Sequence, residues 1–434
     1  MPFETSHTGA RRIAVIGGGI SGMGAAHMLS PDHHVVLFEA ENRLGGHART
    51  VLAGKRGDQP VDTGFIVFNY ANYPHLTRLF ENLDVPVTKS NMSFGASLNG
   101  GRLEYGLQNL RAVFAQKRNL ANPRFLRMLR DVVRFNANAL RVAQDPTLTI
   151  REFLAALGTG DWFRDYYLLP LSGAIWSTPT ENILDFPAKA MIEFFKNHAL
   201  LSATGQHQWY TVDGGSREYV SRLGAAMASA GVDIRLGAAT QSVRRTPVGV
   251  EVKTWGGDWE PFDEVVFATH SDDSLRLLSD ATAVEQGALS AVKYQPNRAV
   301  LHADTAMMPK RRAAWSSWVY TEDRDKTADR IDLTYWMNSL QPIPKDDPLF
   351  VTLNSTREIR QELIHDEVSF RHPVYTLEAL QAQELVRAIN GSNRTWFCGA
   401  WMKNGFHEDG LASAVDVVEA MRVRPGMPQA IAAE

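Results

Sequence analysis

A glycine-rich turn between an apolar strand and a helix of small residues constrains the fold of this chain most strongly. Arg12–Ile16 is a short apolar run that stops at Gly17, and the segment from Ser21 to Leu29 has the small-residue character of a packed helix. A second apolar run, Val35–Phe38, ends in Glu39, so the two runs and the helix form a β-α-β unit. Both runs are almost wholly apolar, which predicts a parallel sheet covered on both faces.

The turn has the G-x-G-x-x-G spacing of dinucleotide-binding sites. The first glycine permits the tight turn, the second lets a pyrophosphate approach the backbone, and the third allows the helix to pack closely on the strand. The helix start offers amides to the phosphates, and the carboxylate after the second strand accepts hydrogen bonds from ribose hydroxyls. A turn that merely joins a strand to a helix is the alternative. The residues predicted to contact the dinucleotide here are Gly17, Gly19, Ile20, Ser21, Gly22, Glu39 and Ala40.

The loop that follows favours FAD over NAD as the dinucleotide. Arg43, Gly45 and Gly46 place a guanidinium and a flexible glycine pair where a second loop could wrap the same diphosphate. Such a wrap suits a tightly held FAD. The alternative is a surface loop in which Arg43 is solvated.

A run near the C-terminus supplies the other half of the predicted flavin site. It joins a strand that ends near Phe397 to a helix, and Gly410 would let the backbone lie against a flat ring. Amides at the helix start could face the flavin pyrimidine carbonyl, where negative charge accumulates on reduction. Helix capping is the alternative role of Asp409. The cofactor contacts predicted in this run are Gly399, Asp409, Gly410 and Leu411.

His407 is the candidate catalytic base or proton relay, because it precedes this helix and histidine titrates near neutral pH. A histidine packed beside the ring and hydrogen-bonded to backbone is the alternative. The run His407-Glu408-Asp409 lacks the spacing of a helical zinc site, so no metal is predicted. The single cysteine, Cys398, excludes an internal disulfide and is expected to be a small buried thiol.

Charge and hydropathy limit the partners and the location. The chain has 45 Lys and Arg against 48 Asp and Glu, so a whole-protein attraction to nucleic acid is not expected. The polar N-terminus lacks the apolar core of a secretory signal, and no segment offers 18 uninterrupted apolar residues. A reducing, cytoplasmic setting is therefore expected.

Residues 110–143 form a basic stretch with interleaved apolar residues. One acid, Asp131, stands in this stretch. An element of this kind could lie on an anionic membrane, at the inner face of the bilayer. The alternative is a helix whose apolar side packs within the protein and whose arginines are solvated. The cations of the stretch are Arg111, Lys117, Arg118, Arg124, Arg127, Arg130, Arg134 and Arg141.

The order of these patterns predicts two discontinuous domains. The cofactor domain is expected to comprise residues 9–95, 206–290 and 390–423. Residues 96–205, which we predict to be largely helical, and the partly strand-like residues 291–389 would form the substrate domain. The tail 424–434 is expected to be loose.

Together with the glycine turn and the Gly410 helix, five further stretches resemble the flavin-containing amine oxidase superfamily. Within it, the chain is most similar to a bacterial family of NAD/FAD-binding proteins that is typically encoded beside cyclopropane-fatty-acid synthase-like methyltransferases. The resemblance covers nearly the whole chain. The stretches are Val61–Asn69, Asp185–Ala188, Gly214–Tyr219, Pro296–His302 and Gly405–Leu411.

The resemblance implies an α/β fold with a Rossmann-like FAD-binding domain, of the amine oxidase and p-hydroxybenzoate hydroxylase type, and a mixed α+β substrate domain. It places the backbone near Thr240 at the adenine. Amine oxidases usually carry an aromatic residue where this chain has His407, and a lysine linked through water to flavin N5 where an approximate register puts Arg298. The residues implied to lie near the isoalloxazine are Thr63, Gly64, Phe65 and Ile66.

The resemblance and the residues together predict an FAD-dependent oxidoreductase. We expect it to dehydrogenate or oxidise an apolar small molecule, with hydride passing to flavin N5, and a modified acyl chain of a membrane lipid is the leading substrate. One alternative is an amine oxidase that releases an aldehyde and hydrogen peroxide. The other is a flavin-binding scaffold without turnover.

Overall fold

The computed structural model describes residues 9–176, 183–201, 207–322 and 332–423. Within these ranges the chain forms two compact units. The first comprises residues 9–48, 219–293 and 378–423, and the second comprises residues 49–218 and 294–377. Residues 49–95 thus belong to the second unit, whereas the sequence prediction assigns them to the cofactor domain. The tail 424–434 lies outside the described residues.

A five-stranded parallel sheet forms the centre of the first unit. Its strands lie in the order Thr395–Phe397, Glu264–Phe267, Arg12–Ile16, His34–Phe38 and Asp233–Arg235, with every neighbouring pair parallel, as the apolar runs predict. Its strands are β1 (Arg12–Ile16), β2 (His34–Phe38), β9 (Asp233–Arg235), β13 (Glu264–Phe267) and β19 (Thr395–Phe397). A separate antiparallel sheet contains β10 (Thr240–Arg245), β11 (Val250–Thr254) and β12 (Trp259–Phe262).

Helices of small and apolar residues pack in the first unit. Helix α1 is buried along most of its length, because Gly24 leaves room for Leu411 of the last helix: a Cβ on Gly24 would lie 2.5 Å from Leu411 Cδ1. The helices are α1 (Ile20–Leu29), α9 (Arg217–Ser229, of which Arg217 and Glu218 belong to the second unit), α10 (Ser271–Leu277), α11 (Ala283–Ala291), α13 (Leu377–Ile389, of which Leu377 belongs to the second unit) and α14 (His407–Val423).

A seven-stranded mixed sheet dominates the second unit, in the order β18-β14-β17-β16-β15-β6-β7. Its strands are β6 (Phe94–Leu98), β7 (Leu103–Gly106), β14 (Lys293–His302, of which Lys293 belongs to the first unit), β15 (Trp318–Thr321), β16 (Asp332–Trp336), β17 (Phe350–Leu353) and β18 (Ile364–Val374). Two small antiparallel pairs join β3 (Thr50–Ala53) to β4 (Gln59–Asp62), and β5 (Val87–Ser90) to β8 (Trp209–Val212).

The remaining helices of the second unit lie mostly in the segment that we predicted to be helical. That segment also contains β7 and the end of β6, which the sequence analysis missed. Asn99, Gly100 and Gly101 have positive φ values of 52°, 63° and 85°, and they form the turn between these strands. The helices are α2 (Pro74–Asn82), α3 (Leu110–Val113), α4 (Pro123–Val142), α5 (Ile150–Leu157), α6 (Asp161–Phe163), α7 (Leu169–Trp176), α8 (Ala188–Asn197) and α12 (Met337–Leu340). Among the described helices, none has both the length and the apolar character needed to cross a bilayer.

Candidate active site

The predicted dinucleotide turn lies between β1 and α1 and requires glycine at two positions. Gly17 has a φ of 108°, and a Cβ on it would lie 2.9 Å from the carbonyl oxygen of Ala268. A Cβ on Gly22 would lie 1.7 Å from the carbonyl oxygen of Gly17, so a side chain there would displace the turn. The helix can approach the strand this closely because both side chains are absent.

Gly19 has a different environment, because the space beside it is open. Outside Gly19 and its two chain neighbours, no heavy atom of the described residues lies within 4 Å of a Cβ built on Gly19. The loop after β2 approaches the same turn: the Gly45 amide donates to the Gly18 carbonyl at 2.8 Å, and a Cβ on Gly46 would lie 3.1 Å from Gly19 Cα. The two glycine loops are therefore in direct contact and leave free volume at Gly19.

Arg43 stabilises its own loop. Its guanidinium donates to the carbonyl oxygens of Gly46 at 2.9 Å and Ala48 at 3.2 Å, and it forms an ion pair with Glu41 at 2.8 Å. These contacts hold the guanidinium within its own loop, and its role at the diphosphate stays a prediction. What the structure presents toward the glycine turn is the backbone of the Arg43 loop.

Glu39 lies directly after β2 and is held by backbone amides. Its carboxylate accepts hydrogen bonds from Gly18 N at 2.6 Å and from Glu41 N at 2.7 Å, while the neighbouring Ala40 is exposed. Thr240, at the start of β10, has a buried hydroxyl with no hydrogen-bond partner among the described residues. An unsatisfied buried hydroxyl, an oriented carboxylate and the free volume at Gly19 all fit a bound adenine dinucleotide.

The start of α14 packs against the start of α1. A Cβ on Gly410 would lie 2.9 Å from Ser21 Oγ and 3.0 Å from Ile20 Cγ2, so glycine is needed for this approach. The two helix N-termini therefore meet, and each carries partial positive charge. A cofactor with anionic phosphates and an electron-accepting ring fits such a position.

Asp409 caps this helix start. Its carboxylate accepts hydrogen bonds from Phe406 N at 2.9 Å and from Asn404 N at 3.2 Å. Burial raises the pKa of Asp409 to about 6. This is the capping alternative from the sequence analysis, while a contact with the cofactor stays a prediction. Gly399, which is also predicted to contact the cofactor, donates its amide to Ser413 Oγ at 2.8 Å.

His407 is the first residue of α14 and is bound to a tyrosine. Its Nε2 lies 2.7 Å from Tyr219 Oη, and the two rings meet edge to face with centroids 5.6 Å apart. Burial, with a smaller contribution from the charge of His47, lowers the pKa of His407 to about 3. The imidazole is therefore neutral at pH 7, which differs from the titration near neutrality that we expected. Sequence reasoning missed Tyr219, although it ends the Gly214–Tyr219 stretch that carries part of the resemblance.

The Thr63–Ile66 segment lies in the second unit, directly after β4. Thr63 Oγ1 donates to the carbonyl oxygen of Arg49 at 3.3 Å, and Thr211 Oγ1 donates to the carbonyl oxygen of Ile66 at 2.7 Å. Gly64 and Phe65 between them are partly exposed. Both ends of the segment are thus anchored, and its predicted position at the isoalloxazine stays a prediction.

Asp62, the residue before this segment, is a buried carboxylate that sequence reasoning did not single out. It accepts hydrogen bonds from Thr50 Oγ1 at 2.6 Å, Ser216 N at 2.9 Å, Ser216 Oγ at 2.7 Å and Gln341 Nε2 at 2.9 Å. Burial raises its pKa to about 6, and the hydrogen bonds from Thr50 and Ser216 act in the opposite direction. Through these hydrogen bonds Asp62 connects the end of β4 to β3, to the residue before α9 and to the residue after α12.

Arg298 lies on β14 with a side chain that is 52% exposed, and its guanidinium forms a two-pronged ion pair with Glu367. This pairing holds the guanidinium at the surface of the second unit, and its catalytic role stays a prediction. Cys398 is buried, as expected, and burial raises its pKa to about 12, so the thiol is protonated at pH 7.

One group of described residues has the spacing of metal ligands. The ligand atoms of His270, Asp272 and Asp273 lie within 4.8 Å of one another. They are partly exposed at the start of α10, and Asp273 also forms an ion pair with Arg276 at 3.0 Å. We assign no metal to this group.

Comparison with known proteins identifies the sequence pattern. The family model described as flavin containing amine oxidoreductase matches residues 20–311. A mitochondrial protoporphyrinogen oxidase from Nicotiana tabacum is 47% identical over 49 residues, which is 11% of this chain and 10% of the tobacco protein.

Solved structures share the fold over almost the entire chain. A CLA-producing fatty acid isomerase from P. acnes has 14% identity and a TM-score of 0.66, covering 94% of this chain and 98% of its own. Cyclohexylamine oxidase from Brevibacterium oxydans has 13% identity and a TM-score of 0.64, covering 95% of this chain and 100% of its own. The predicted Rossmann-like FAD-binding fold, the FAD cofactor and the oxidoreductase class are confirmed.

Proposed function

The chain belongs to the family of flavin-containing amine oxidoreductases, and from this premise we propose that it dehydrogenates or oxidises an apolar substrate, with a modified acyl chain of a membrane lipid as the leading candidate. Bound FAD supplies the two-electron acceptor for such chemistry. The residues that would hold it are those at the Gly17–Gly22 turn, the backbone of the Arg43 loop, Glu39 and the Gly410 helix start.

The observation that carries the proposal is the bond between His407 and Tyr219. The resemblance puts an aromatic residue of an amine-binding cage at the position of His407. At this position the present chain has a neutral imidazole, and its Nε2 is hydrogen-bonded to the Tyr219 hydroxyl. The rings that attract an ammonium group best are those of Trp, Tyr and Phe, and the imidazole of His407 is a weaker partner. The substitution therefore supports an uncharged reacting group over an amine.

Two further facts support an acyl substrate. The bacterial family that this chain resembles is encoded beside enzymes that modify fatty-acyl chains. A fatty acid isomerase shares the fold. In the proposed reaction the neutral imidazole of His407 holds a proton on one of its ring nitrogens, and the hydrogen bond between Nε2 and the Tyr219 hydroxyl orients the ring.

The surface of α4 supports peripheral membrane contact for the same enzyme. The one acid of the basic stretch, Asp131, is buried and accepts a hydrogen bond from Gly160 N at 3.0 Å. Asp131 also forms an ion pair with Arg130 at 3.4 Å, and α4 has no second acid beside its other outward cations. Its apolar residues are also exposed at a spacing of seven: Leu126 by 42%, Val133 by 68% and Leu140 by 39%. Exposed leucines between arginines suit an anionic lipid surface.

Anaerobic bleaching of the flavin in the purified holoenzyme tests the reaction. We expect a lipid extract of the source cells to bleach the visible absorbance and a polar extract to leave it unchanged. Bleaching by an amine panel, with release of hydrogen peroxide in air, would instead support the amine oxidase alternative. Flavin that no extract reduces would support the scaffold alternative.

Co-sedimentation with vesicles tests the membrane contact separately. Wild-type protein should sediment with phosphatidylglycerol vesicles at low salt and remain in solution with phosphatidylcholine vesicles. The triple variant Leu126→Ser, Val133→Ser, Leu140→Ser should lose most of this binding. The matched control is Val248→Ser, at a residue 82% exposed on the other unit, which should bind as wild type does. Equal sedimentation with both lipids would refute the contact.

A further inference from the structure

A basic surface surrounds the turn between β6 and β7, and it is assembled from two parts of the chain that are far apart in sequence. Arg118, which follows α3, donates to the carbonyl oxygen of Arg102 at the turn. The Lys310 ammonium group donates to the carbonyl oxygen of Gly100 at 3.2 Å, across 210 residues. All of these residues belong to the second unit. We call this the basic turn surface, and its exposed cations are Arg102, Lys117, Arg118, Lys310, Arg311 and Arg312.

A buried carboxylate fixes the distant segment beside the turn. Glu104, on β7, accepts hydrogen bonds from Lys310 N at 2.8 Å and from Arg311 N at 3.2 Å, and its side chain is fully buried. The next cation, Arg312, has its guanidinium carbon 3.6 Å from the centre of the Trp315 ring. The backbone and one guanidinium of this segment are therefore held in place, while the carboxylate that holds them is not exposed to a partner.

The basic turn surface carries little compensating negative charge. Within the ranges that the structure describes, Arg311 is the only one of its cations in an ion pair, and the partner is the buried Glu104 at 3.5 Å. Another acid, the partly exposed Glu322, reaches the turn by accepting at its main-chain carbonyl from Gly100 N at 3.1 Å. Its carboxylate accepts a hydrogen bond from the Tyr320 hydroxyl at 3.0 Å. The surface therefore has an excess of positive charge, which suits an anionic partner.

Two exposed leucines favour a lipid bilayer as that partner. Leu120, two residues after Arg118, is 57% exposed, and Leu110, at the start of α3, is 77% exposed. Helix α3 packs against the short helical turn Arg312–Ala314, so Leu110 lies near the distant segment as well. Apolar side chains gain free energy when they leave water for the acyl region of a bilayer. The sugar-phosphate backbone of a nucleic acid attracts the cations but offers the leucines no such environment.

We propose that the basic turn surface binds the headgroups of anionic lipids, with Leu110 and Leu120 entering the acyl region. The inference rests on the membrane contact proposed for α4, to which it adds a second part that includes residues outside 110–143. The two parts adjoin in the chain, because Asn122 follows the helical turn 117–121 and caps α4 with its side chain. Each cation close to an anionic leaflet adds to the attraction, and salt weakens it.

Partitioning of the holoenzyme into phosphatidylglycerol vesicles at low salt tests the charges. The variant Lys310→Gln, Arg311→Gln removes two of them and leaves both main-chain amides for Glu104. Its matched control is Arg56→Gln, Lys345→Gln, which removes two exposed cations elsewhere on the second unit. We expect the first variant to lower the partition coefficient at least about ten-fold and the control to stay within about two-fold of wild type. Equal partitioning of the two variants would overturn the proposal.

A leucine variant tests insertion and separates a bilayer from a soluble polyanion. Leu120→Ser should lower the partition coefficient at least about three-fold and leave binding to heparin unchanged. Its control is Leu52→Ser, at a leucine 50% exposed in the same unit, which should change neither. Binding of wild type to heparin without binding to vesicles would assign the surface to a soluble polyanion and overturn the proposal.

The α4 contact and the basic turn surface can fail independently. If the triple α4 variant loses vesicle binding while Lys310→Gln, Arg311→Gln keeps it, the α4 contact stands and the basic turn surface is refuted. The reverse result supports the basic turn surface and refutes the α4 contact. Because no turnover is measured, a failure of the proposed oxidation leaves both results unaffected.

Discussion

Replacement of Asp62 by asparagine should change the pH dependence of stability in a defined direction. Burial raises the folded-state pKa of this carboxyl from 3.8 to about 6. Because the folded state binds the proton more tightly than the unfolded state, the group stabilises the fold most at low pH. That stabilisation is lost as the pH rises through about 6.

The magnitude follows from the two pKa values. The full difference corresponds to about 3 kcal/mol, and lowering the pH from 7 to 5 recovers about 1 kcal/mol of it. The absolute effect of Asp62→Asn at pH 7 combines two opposing contributions. The variant loses acceptor capacity toward Ser216 and Gln341, and it removes the cost of a buried charge. Only the change with pH isolates the ionisation.

Urea unfolding of both proteins at pH 7 and pH 5 measures this change. We expect the free energy of unfolding of wild type minus that of Asp62→Asn to rise by about 1 kcal/mol at pH 5. Other titrating groups are common to both proteins and cancel in the difference. The control is Asp213→Asn, which replaces an exposed carboxylate three residues before Ser216 and should show no rise. A constant or falling difference for Asp62→Asn would refute the reasoning.

Three further outcomes are expected. Gly19→Ala should fold normally but bind FAD at least about ten-fold more weakly, since the pyrophosphate would lie in the open space beside Gly19. The control is Gly287→Ala, at a glycine whose added Cβ would also meet no described atom of another segment, and this variant should keep FAD. Flavin fluorescence after dialysis measures the FAD retained by each protein. Tyr219→Phe removes the hydroxyl that lies 2.7 Å from His407 Nε2 and should reduce the free energy of unfolding by about 1 kcal/mol. Unchanged unfolding would argue against that hydrogen bond. His302 is buried, and burial lowers its pKa to about 4. Between pH 7 and pH 4.5, the free energy of unfolding of wild type should therefore fall by about 2 kcal/mol more than that of His302→Gln, as measured by urea unfolding. An equal fall in both proteins would contradict this prediction.

Features that depend only on neighbouring residues could be predicted from the amino-acid sequence. Gly17, Gly22 and the two apolar runs specify a turn that tolerates no side chain, so the β-α-β unit and the dinucleotide were predictable. The Asn99-Gly100 dipeptide is also a local signal, because Asn-Gly favours the tight turn of a β-hairpin. It predicts the strands β6 and β7, which the sequence analysis missed.

Tertiary structure alone decided the state of the functional side chains, because burial and charge depend on segments that are far apart in the chain. His407 meets Tyr219 across 188 residues, and Asp62 meets Ser216 and Gln341 across 154 and 279 residues. No local spacing encodes such contacts. The ionisation of an imidazole or a carboxylate follows from the solvent that those contacts exclude, so its pKa is a property of the folded molecule.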